Sequence, residues 1–294
     1  MTWPPACTRR DELLANHTSF RIGGPADCFA EPSTLEELEE VLRAASRAGM
    51  PVVVIGGGTN TLAADRGIRG VVLHLGAGFR TIHTVSEPES PVVDVVCGAA
   101  LLTQRLVSCA AQEGWGEVDA LAGLPGHIGG AVSMNAQNIG RWVQEIRLVA
   151  FDGAVHVLTR EQMQFHYRDA ALPPGIIAQV VLRVPRVPVP EAAAGIARVL
   201  YHRNTTQEVG LPSAGCAFKN PPGLGAGGLI DQAGLKGSRI GDAQISRRHA
   251  NFLVNLGQAR CDDVLSLMEY VQRQVYRTHR VWLEPEVRLV GQRF

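Results

Sequence analysis

Lysine is nearly missing from this sequence: of 28 basic residues only Lys219 and Lys236 are lysine, and the rest are arginine. Acidic residues also number 28. With no net charge there is no bulk positive field to draw the chain to nucleic acid or to an anionic membrane, so a charged ligand has to be held locally. Aromatic residues make up only 5% and charged ones 19%, against 46% apolar, a balance in which burial offsets chain entropy and wholesale disorder is excluded. The longest apolar runs are a handful of residues, short of the roughly 20 that span a bilayer, and Met1 to Asn16 has no signal-peptide apolar core. The six cysteines (Cys7, Cys28, Cys97, Cys109, Cys216 and Cys261) are scattered without CxxC spacing, which reads as a reducing compartment. A soluble, cytoplasmic protein is expected. No His/Cys/Asp/Glu grouping has zinc spacing, so no metal site is expected either.

The chain is 294 residues long, enough for two or three units at about 150 residues each. Between Glu31 and Gly58 the pattern is a helix followed by a buried strand. Ser33 and Glu36 form a capping box, Leu35, Leu38, Val41, Leu42 and Ala45 recur at helical spacing, and Gly49 ends the helix. Pro51 to Ile55 is then a β-branched strand running into Gly56-Gly-Gly-Thr-Asn60, with a second strand at Val71 to Leu75. Further strands are expected at Pro91–Val96, Ile146–Phe151, Val155–Leu158 and Ile177–Val184, and a helix at Ala99–Glu113. Leu121 to Gly140 is too rich in glycine and small residues to be one regular element. The proline cluster from Val184 to Pro190 cannot be a central strand, and it reads as a domain boundary. Beyond it come a helix near Glu191 to Tyr201 and another from Asp262 to about Thr278, with Val264, Met268, Val271 and Val275 as its buried stripe.

Four constellations can carry chemistry. Gly56-Gly-Gly-Thr-Asn60 follows a strand directly. Side-chain-free main chain can approach phosphate oxygens there, with Thr59 and Asn60 adding donors, which suits a pyrophosphate; an ordinary tight turn reads equally well. No GK[ST] follows, so it is not a P-loop, and Asp65-Arg66-Gly67 stands where a Rossmann helix would begin. Gly123-Leu-Pro-Gly-His-Ile-Gly-Gly-Ala131, with Met134-Asn-Ala136, lets main chain lie flat on an extended ligand, although close strand packing needs the same residues. In Ser213-Ala-Gly-Cys-Ala-Phe-Lys-Asn-Pro221, Cys216 stands near the ammonium of Lys219 and the amide of Asn220, against the default of a small buried hydrophobe. Arg168 and Glu286 form the fourth pair, read otherwise as surface charges.

Together these segments resemble the UDP-N-acetylenolpyruvoylglucosamine reductases, flavoenzymes of peptidoglycan precursor synthesis. The likeness runs from about Asn16 to Gly291 and follows an ordered set of motifs. These are Asn16 to Pro25, Gly56 to Asn60, Gly123 to Ala131, Met134-Asn-Ala136, Tyr167-Arg-Asp169, Gly215 to Pro221, His249-Ala-Asn-Phe252 and Glu284-Pro-Glu-Val-Arg288. The resemblance implies an α+β fold: an FAD-binding region of the vanillyl-alcohol-oxidase type in two subdomains (1–75, and 76–198 completed by 281–294), plus a separate α/β substrate domain at 199–280. The last strand, with Glu286, would return to the flavin region.

The implied reaction has NADPH as co-substrate and passes a hydride from N5 of reduced FAD to C3 of UDP-N-acetylglucosamine enolpyruvate. FAD would rest on Gly56, Gly57, Gly58, Thr59, Asn60, Pro125, Gly126, Gly129, Gly130, Ala131 and Asn135. Tyr167, Lys219, Asn220, His249 and Asn251 would bind substrate. Arg168 matches the family's cation for the charge that develops on the substrate carboxylate. Glu286 matches an acidic residue held protonated or hydrogen-bonded beside it, and Cys216 stands where the family usually has a serine that protonates C2. A thiol is an intrinsically better acid than an alcohol provided that it stays protonated, so Lys219 is expected to point away from it, toward substrate phosphate or main chain.

Gln137-Asn-Ile-Gly140 departs from the glycine and tyrosine that relatives often carry after Met-Asn-Ala. The absence of an insertion after Asp169 places the chain in the shorter branch. An FAD-linked oxidase of small alcohols or sugars and a non-catalytic nucleotide-sugar binder are the competing readings; neither a nucleic acid nor an obligate protein partner is expected.

Overall fold

In the computed structural model, residues 5–87, 89–208 and 210–291 are described, and the chain folds as two compact units. The first comprises the N-terminal residues through Arg9 with Phe29–Gly57 and Val71–Arg203; the second comprises Arg10–Cys28, Gly58–Gly70 and the chain from Asn204 onward.

In the first unit, α1 (Leu35–Arg47) turns Leu38, Val41, Leu42, Ala44 and Ala45 inward. Burial of its Leu and Val side chains is worth about 1.5–3 kcal/mol apiece. Its cap lies one residue beyond the expected Ser33: Thr34 Oγ1 accepts from the Glu37 N–H at 3.2 Å, and the Glu37 carboxylate accepts from the Ser33 N–H at 2.6 Å. Glu37 rather than Glu36 reaches back, and it reaches the Ser33 N–H, one residue before the cap, so the hydroxyl cap forms at Thr34 without a reciprocal box. Gly49, at φ +64°, takes the chain out of the helix, and Val52–Val54 pairs in parallel with Val71–Leu73.

A five-stranded antiparallel sheet forms the rest of this core, in the order Val155–Thr159, Val143–Val149, Ile176–Pro185, Val92–Gly98, Ile82–Thr84. Its central strand ends inside the proline cluster. Pro185 closes it opposite Val92, and α4 (Val189–Thr206) opens with Pro190 in its first turn, where a missing N–H costs no helical bond. The cluster therefore does not separate the two units; they divide at Arg203 and Asn204, inside α4. The helix expected from Ala99 begins later, as α2 (Thr103–Glu113), because the Ala99 N–H donates to the Ala178 carbonyl at 3.0 Å and is held by the sheet. Between Leu121 and Gly140 only α3 (Ile128–Ser133) is α-helical, flanked by 3₁₀ turns.

The second unit is built on a four-stranded antiparallel sheet, in the order Ser213–Cys216, Phe252–Asn255, Ala243–Ile245, Arg239–Ile240. Two helices accompany it, α5 (Ala226–Gln232) and α6 (Cys261–His279). The 3.6-residue stripe of α6, Val264, Leu267, Met268, Val271 and Val275, closes a core with Phe218, Leu229, Ile230, Ile245 and Leu253. Asp65 caps this helix from a distant loop: its two carboxylate oxygens accept from the Cys261 and Asp262 N–H groups at 2.9 and 3.3 Å, the charge sign that a helix N-terminus favours. Finally Arg288–Val290 lies parallel to Thr61–Ala63, the strand that follows Gly56–Asn60.

Candidate active site

In the first unit the two glycine runs meet. An added Cβ on Gly57 would stand 2.9 Å from the Gly126 Cα, while Gly56 would meet only His127 Nδ1 at 3.9 Å and Gly130 would meet nothing within 4 Å. Gly57 is therefore a packing glycine, as is Gly129, whose Cβ would lie 2.9 Å from that of Ala99. Gly56 and Gly130 instead leave uncovered main chain, the arrangement that an extended planar ligand requires. Gly58, across the division in the second unit, sits at φ +63° and its Cβ would collide with the His17 carbonyl. The residues of this cradle fit FAD.

His127 lies between the runs and was not legible as a site residue in sequence. Burial, then His74, whose ring centroid is 5.6 Å away, then Arg80, push it down to about 4, so it is neutral at physiological pH. A lone histidine in a glycine-rich run carries no signal of its own; only the fold brings it to Gly56 and Gly57.

Tyr167 and Arg168 form the two-residue turn of a separate hairpin that pairs Gln164–His166 with Asp169–Ala171. Arg168 stands at φ +57° with its guanidinium 5.5 Å above the Tyr167 ring. The exposed Tyr167 and the half-buried Arg168 are thus presented together. Asn135, by contrast, is 7% exposed and hydrogen-bonds within the protein: Nδ2 donates to the His166 carbonyl at 2.8 Å and Oδ1 accepts from the Gly140 N–H at 2.9 Å.

In the second unit, the segment Cys216–Lys219 is fastened on both sides by main chain. The Ala217 carbonyl accepts from the Glu286 N–H at 2.8 Å, and the Ala217 N–H donates to the Asn251 carbonyl at 2.8 Å. Asn251, 2% exposed, adds a side-chain pair: Oδ1 accepts from the Phe218 N–H at 3.0 Å and Nδ2 donates to the Phe218 carbonyl at 2.8 Å. Asn60 Nδ2 donates to the Glu286 carbonyl at 3.1 Å, which ties the glycine turn to the Glu286 segment. Cys216 and Glu286, far apart in sequence, are therefore carried on segments bonded main chain to main chain through Ala217.

The Lys219 ammonium lies 3.4 Å from the Glu284 carboxylate. This solvent-exposed pair contributes less than about 1 kcal/mol. Asn220 Oδ1 accepts from the Ala226 N–H at 3.0 Å, at the start of α5. His249 is lowered by burial and further by Lys236, against a backbone hydrogen bond that raises it, and its Nδ1 accepts from the Asn251 N–H at 3.3 Å.

Residues 26–159 match the family model of an FAD binding domain, and residues 207–290 match that of the UDP-N-acetylenolpyruvoylglucosamine reductase C-terminal domain. UDP-N-acetylenolpyruvoylglucosamine reductase 2 of Symbiobacterium thermophilum is 39% identical, over 98% of this chain and 93% of its own length. The chain belongs to the UDP-N-acetylenolpyruvoylglucosamine reductase family. The Bacillus subtilis reductase is 36% identical over 96% of this chain and 93% of its own. The crystal structure of the reductase from Thermus caldophilus superposes with a TM-score of 0.81 at 37% identity, covering 96% of this chain and 99% of that one. Membership makes the protein an FAD-dependent oxidoreductase, and the α+β fold with an FAD-binding region expected from sequence stands.

Proposed function

We propose that the protein reduces the enolpyruvyl group of UDP-N-acetylglucosamine enolpyruvate to a lactyl ether in peptidoglycan precursor synthesis, with NADPH as the reductant. The observation that carries this reading is the fastening of Cys216 beside Glu286, through the Glu286 N–H to Ala217 carbonyl bond, within the matched C-terminal domain. FAD, when bound, supplies the two-electron transfer. Its diphosphate and ring are assigned to Gly56–Asn60 and Pro125–Ala131, with His127 as a neutral neighbour. By role, 1–75 and 76–198 plus 281–294 are assigned to FAD and 199–280 to substrate, a division that differs from that of the compact units. The pairing of Arg288–Val290 with Thr61–Ala63, just beyond the glycine turn, supports the return of the last strand.

Arg168 holds the substrate carboxylate, where negative charge accumulates as C3 is reduced, and fixed positive charge there lowers the barrier. The Cys216 thiol donates its proton to C2. That role needs the neutral thiol, and the pairing of Lys219 with Glu284 supports it by giving the ammonium a carboxylate of its own. Glu286 stands beside the same substrate carboxylate, protonated or hydrogen-bonded. Tyr167, Lys219 and His249 contact the substrate, and Asn220 and Asn251 shape the loops that do so. None of the six cysteines is in a disulfide, which supports a cytoplasmic enzyme; among the described residues no helix is long and apolar enough to cross a membrane. No protein partner is needed for this chemistry.

Two-stage stopped-flow absorbance tests the proposal: NADPH should bleach the bound flavin, and the enolpyruvyl UDP-sugar should restore its colour in the absence of oxygen. Recolouring by oxygen alone, with the sugar inert, would make the protein an oxidase. Absorbance that NADPH never bleaches would reduce it to a binder.

A further inference from the structure

The hairpin that bears Arg168 is a two-stranded sheet of its own, not a continuation of the five-stranded sheet. A two-residue turn sets the local backbone but not its place on the molecule. The fastening comes from Asn135. Its Nδ2 donates to the His166 carbonyl, immediately before the Tyr167–Arg168 turn, and its Oδ1 accepts from the Gly140 N–H. Gly140 in turn backs the hairpin, because a Cβ there would collide with the Phe165 ring and stand 2.9 Å from Asn135 Oδ1. Asn135, Gln137 and Asn138 all hold left-handed backbone, at φ +42°, +52° and +60°. Non-glycine residues hold that conformation at a cost and keep it only where their surroundings enforce it. The strained turn, the buried amide and the glycine all converge on the strand leading into Arg168.

We propose that Asn135 is a positioning residue for Arg168, setting through the His166 carbonyl where the guanidinium is presented, and that it does not contact the cofactor. The assignment rests on the reading of Arg168 as the cation that holds the substrate carboxylate. It replaces the direct cofactor contact implied by family resemblance: a side chain 7% exposed, with both ends of its amide bonded inside the protein, has little left to offer a ligand. A shift of the guanidinium by about 1 Å is enough to cost on the order of 100-fold in rate.

The test uses the FAD-loaded full-length enzyme with Asn135→Ala, the isosteric Asn135→Asp, Arg168→Ala and the Asn135→Ala/Arg168→Ala double variant. Asn135→Asp keeps an acceptor for Gly140 but loses the donor to His166, and it covers the case in which the alanine variant folds poorly. For both Asn135 variants the expected result is unchanged flavin content and spectrum, bleaching by NADPH within about twofold of wild type, and recolouring by the sugar slowed by about 10- to 100-fold. Arg168→Ala alone should slow recolouring at least as much. On that background Asn135→Ala should add less than about twofold, since two groups acting through one interaction are not additive.

Loss of flavin or slowed bleaching in both Asn135 variants overturns the proposal in favour of a cofactor contact, and so does full additivity in the double variant. Normal recolouring in Arg168→Ala removes the role of Arg168 itself, a different failure that the single variant reports without reference to Asn135.

Discussion

Cys216 and Arg168 are fastened by opposite means. Around Cys216 the chain is bonded on both flanks, to Glu286 on one side and Asn251 on the other, with the Asn251 amide bonding both polar groups of the Phe218 backbone. Arg168 rides on a two-stranded hairpin to which the Asn135 amide bonds at His166. The thiol segment is thus held main chain to main chain with a side-chain amide added, whereas the turn that bears the arginine is reached through a side-chain amide, that of Asn135. Removing the reacting group and removing its support should thus have different consequences in the two regions.

The largest expected effect is on the thiol side. Cys216→Ala should slow recolouring by the sugar by about 10²- to 10⁴-fold, the usual worth of a general acid, and leave bleaching by NADPH and the melting temperature unchanged. A melting temperature that falls with the rate would show that the framework depends on the thiol and would undo the contrast; an unchanged rate would remove Cys216 from the chemistry.

Next comes the support itself. Asn251→Ala leaves the Phe218 N–H and carbonyl unpaired in a buried site at about 1–3 kcal/mol each, so urea unfolding should show a loss of about 2–6 kcal/mol. Asn135→Ala, by comparison, should cost only about 1–3 kcal/mol, because it leaves the buried Gly140 N–H unpaired while water can replace the bond at the exposed His166. Equal losses would mean that the hairpin is as deeply integrated as the thiol segment.

The smallest effect concerns the glycine cradle of the arginine-bearing unit. His127 is held at about 4 in the folded protein, below its unfolded value of roughly 6.5. The unfolded chain therefore takes up a proton first as pH falls. The stability contributed by the neutral ring is complete above about pH 6.5 and is lost progressively between there and about pH 4. The loss should be on the order of 1–2 kcal/mol for this half-buried ring once solvent screening is allowed for. His127→Gln should flatten that part of the pH profile in urea melts of the FAD-free protein; an identical slope in the variant would assign the acid sensitivity elsewhere.

Much of the architecture was readable because it depends on neighbours in sequence. The stripe of α1, the apolar face of α6, the strand before Gly56 and the irregularity of Leu121–Gly140 all follow from periodicity and local backbone preference. The errors were local too. The cap of α1 moved from Ser33 to Thr34 because either hydroxyl satisfies the pattern, and the proline cluster, read as barring a central strand, holds the end of one, because prolines bar a strand's continuation without saying whether one ends there. At the site, the motif residues named Cys216, Arg168 and Glu286. Nothing in their spacing revealed that Asn135 and Asn251 fasten them, or that His127 faces Gly56 and Gly57.

The amino-acid sequence by itself determined the order of the helices and strands, the glycine runs suited to a dinucleotide and the residue types available for proton and charge handling, since each is encoded within a window of a few residues. Only the tertiary structure decided which of those residues hold one another in place. The amide of Asn251 reaches back to Phe218, that of Asn135 reaches forward to His166 and that of Asn60 reaches Glu286 near the other end of the chain. A buried polar group must find a partner wherever the packed fold offers one, and sequence distance sets no limit on where that is.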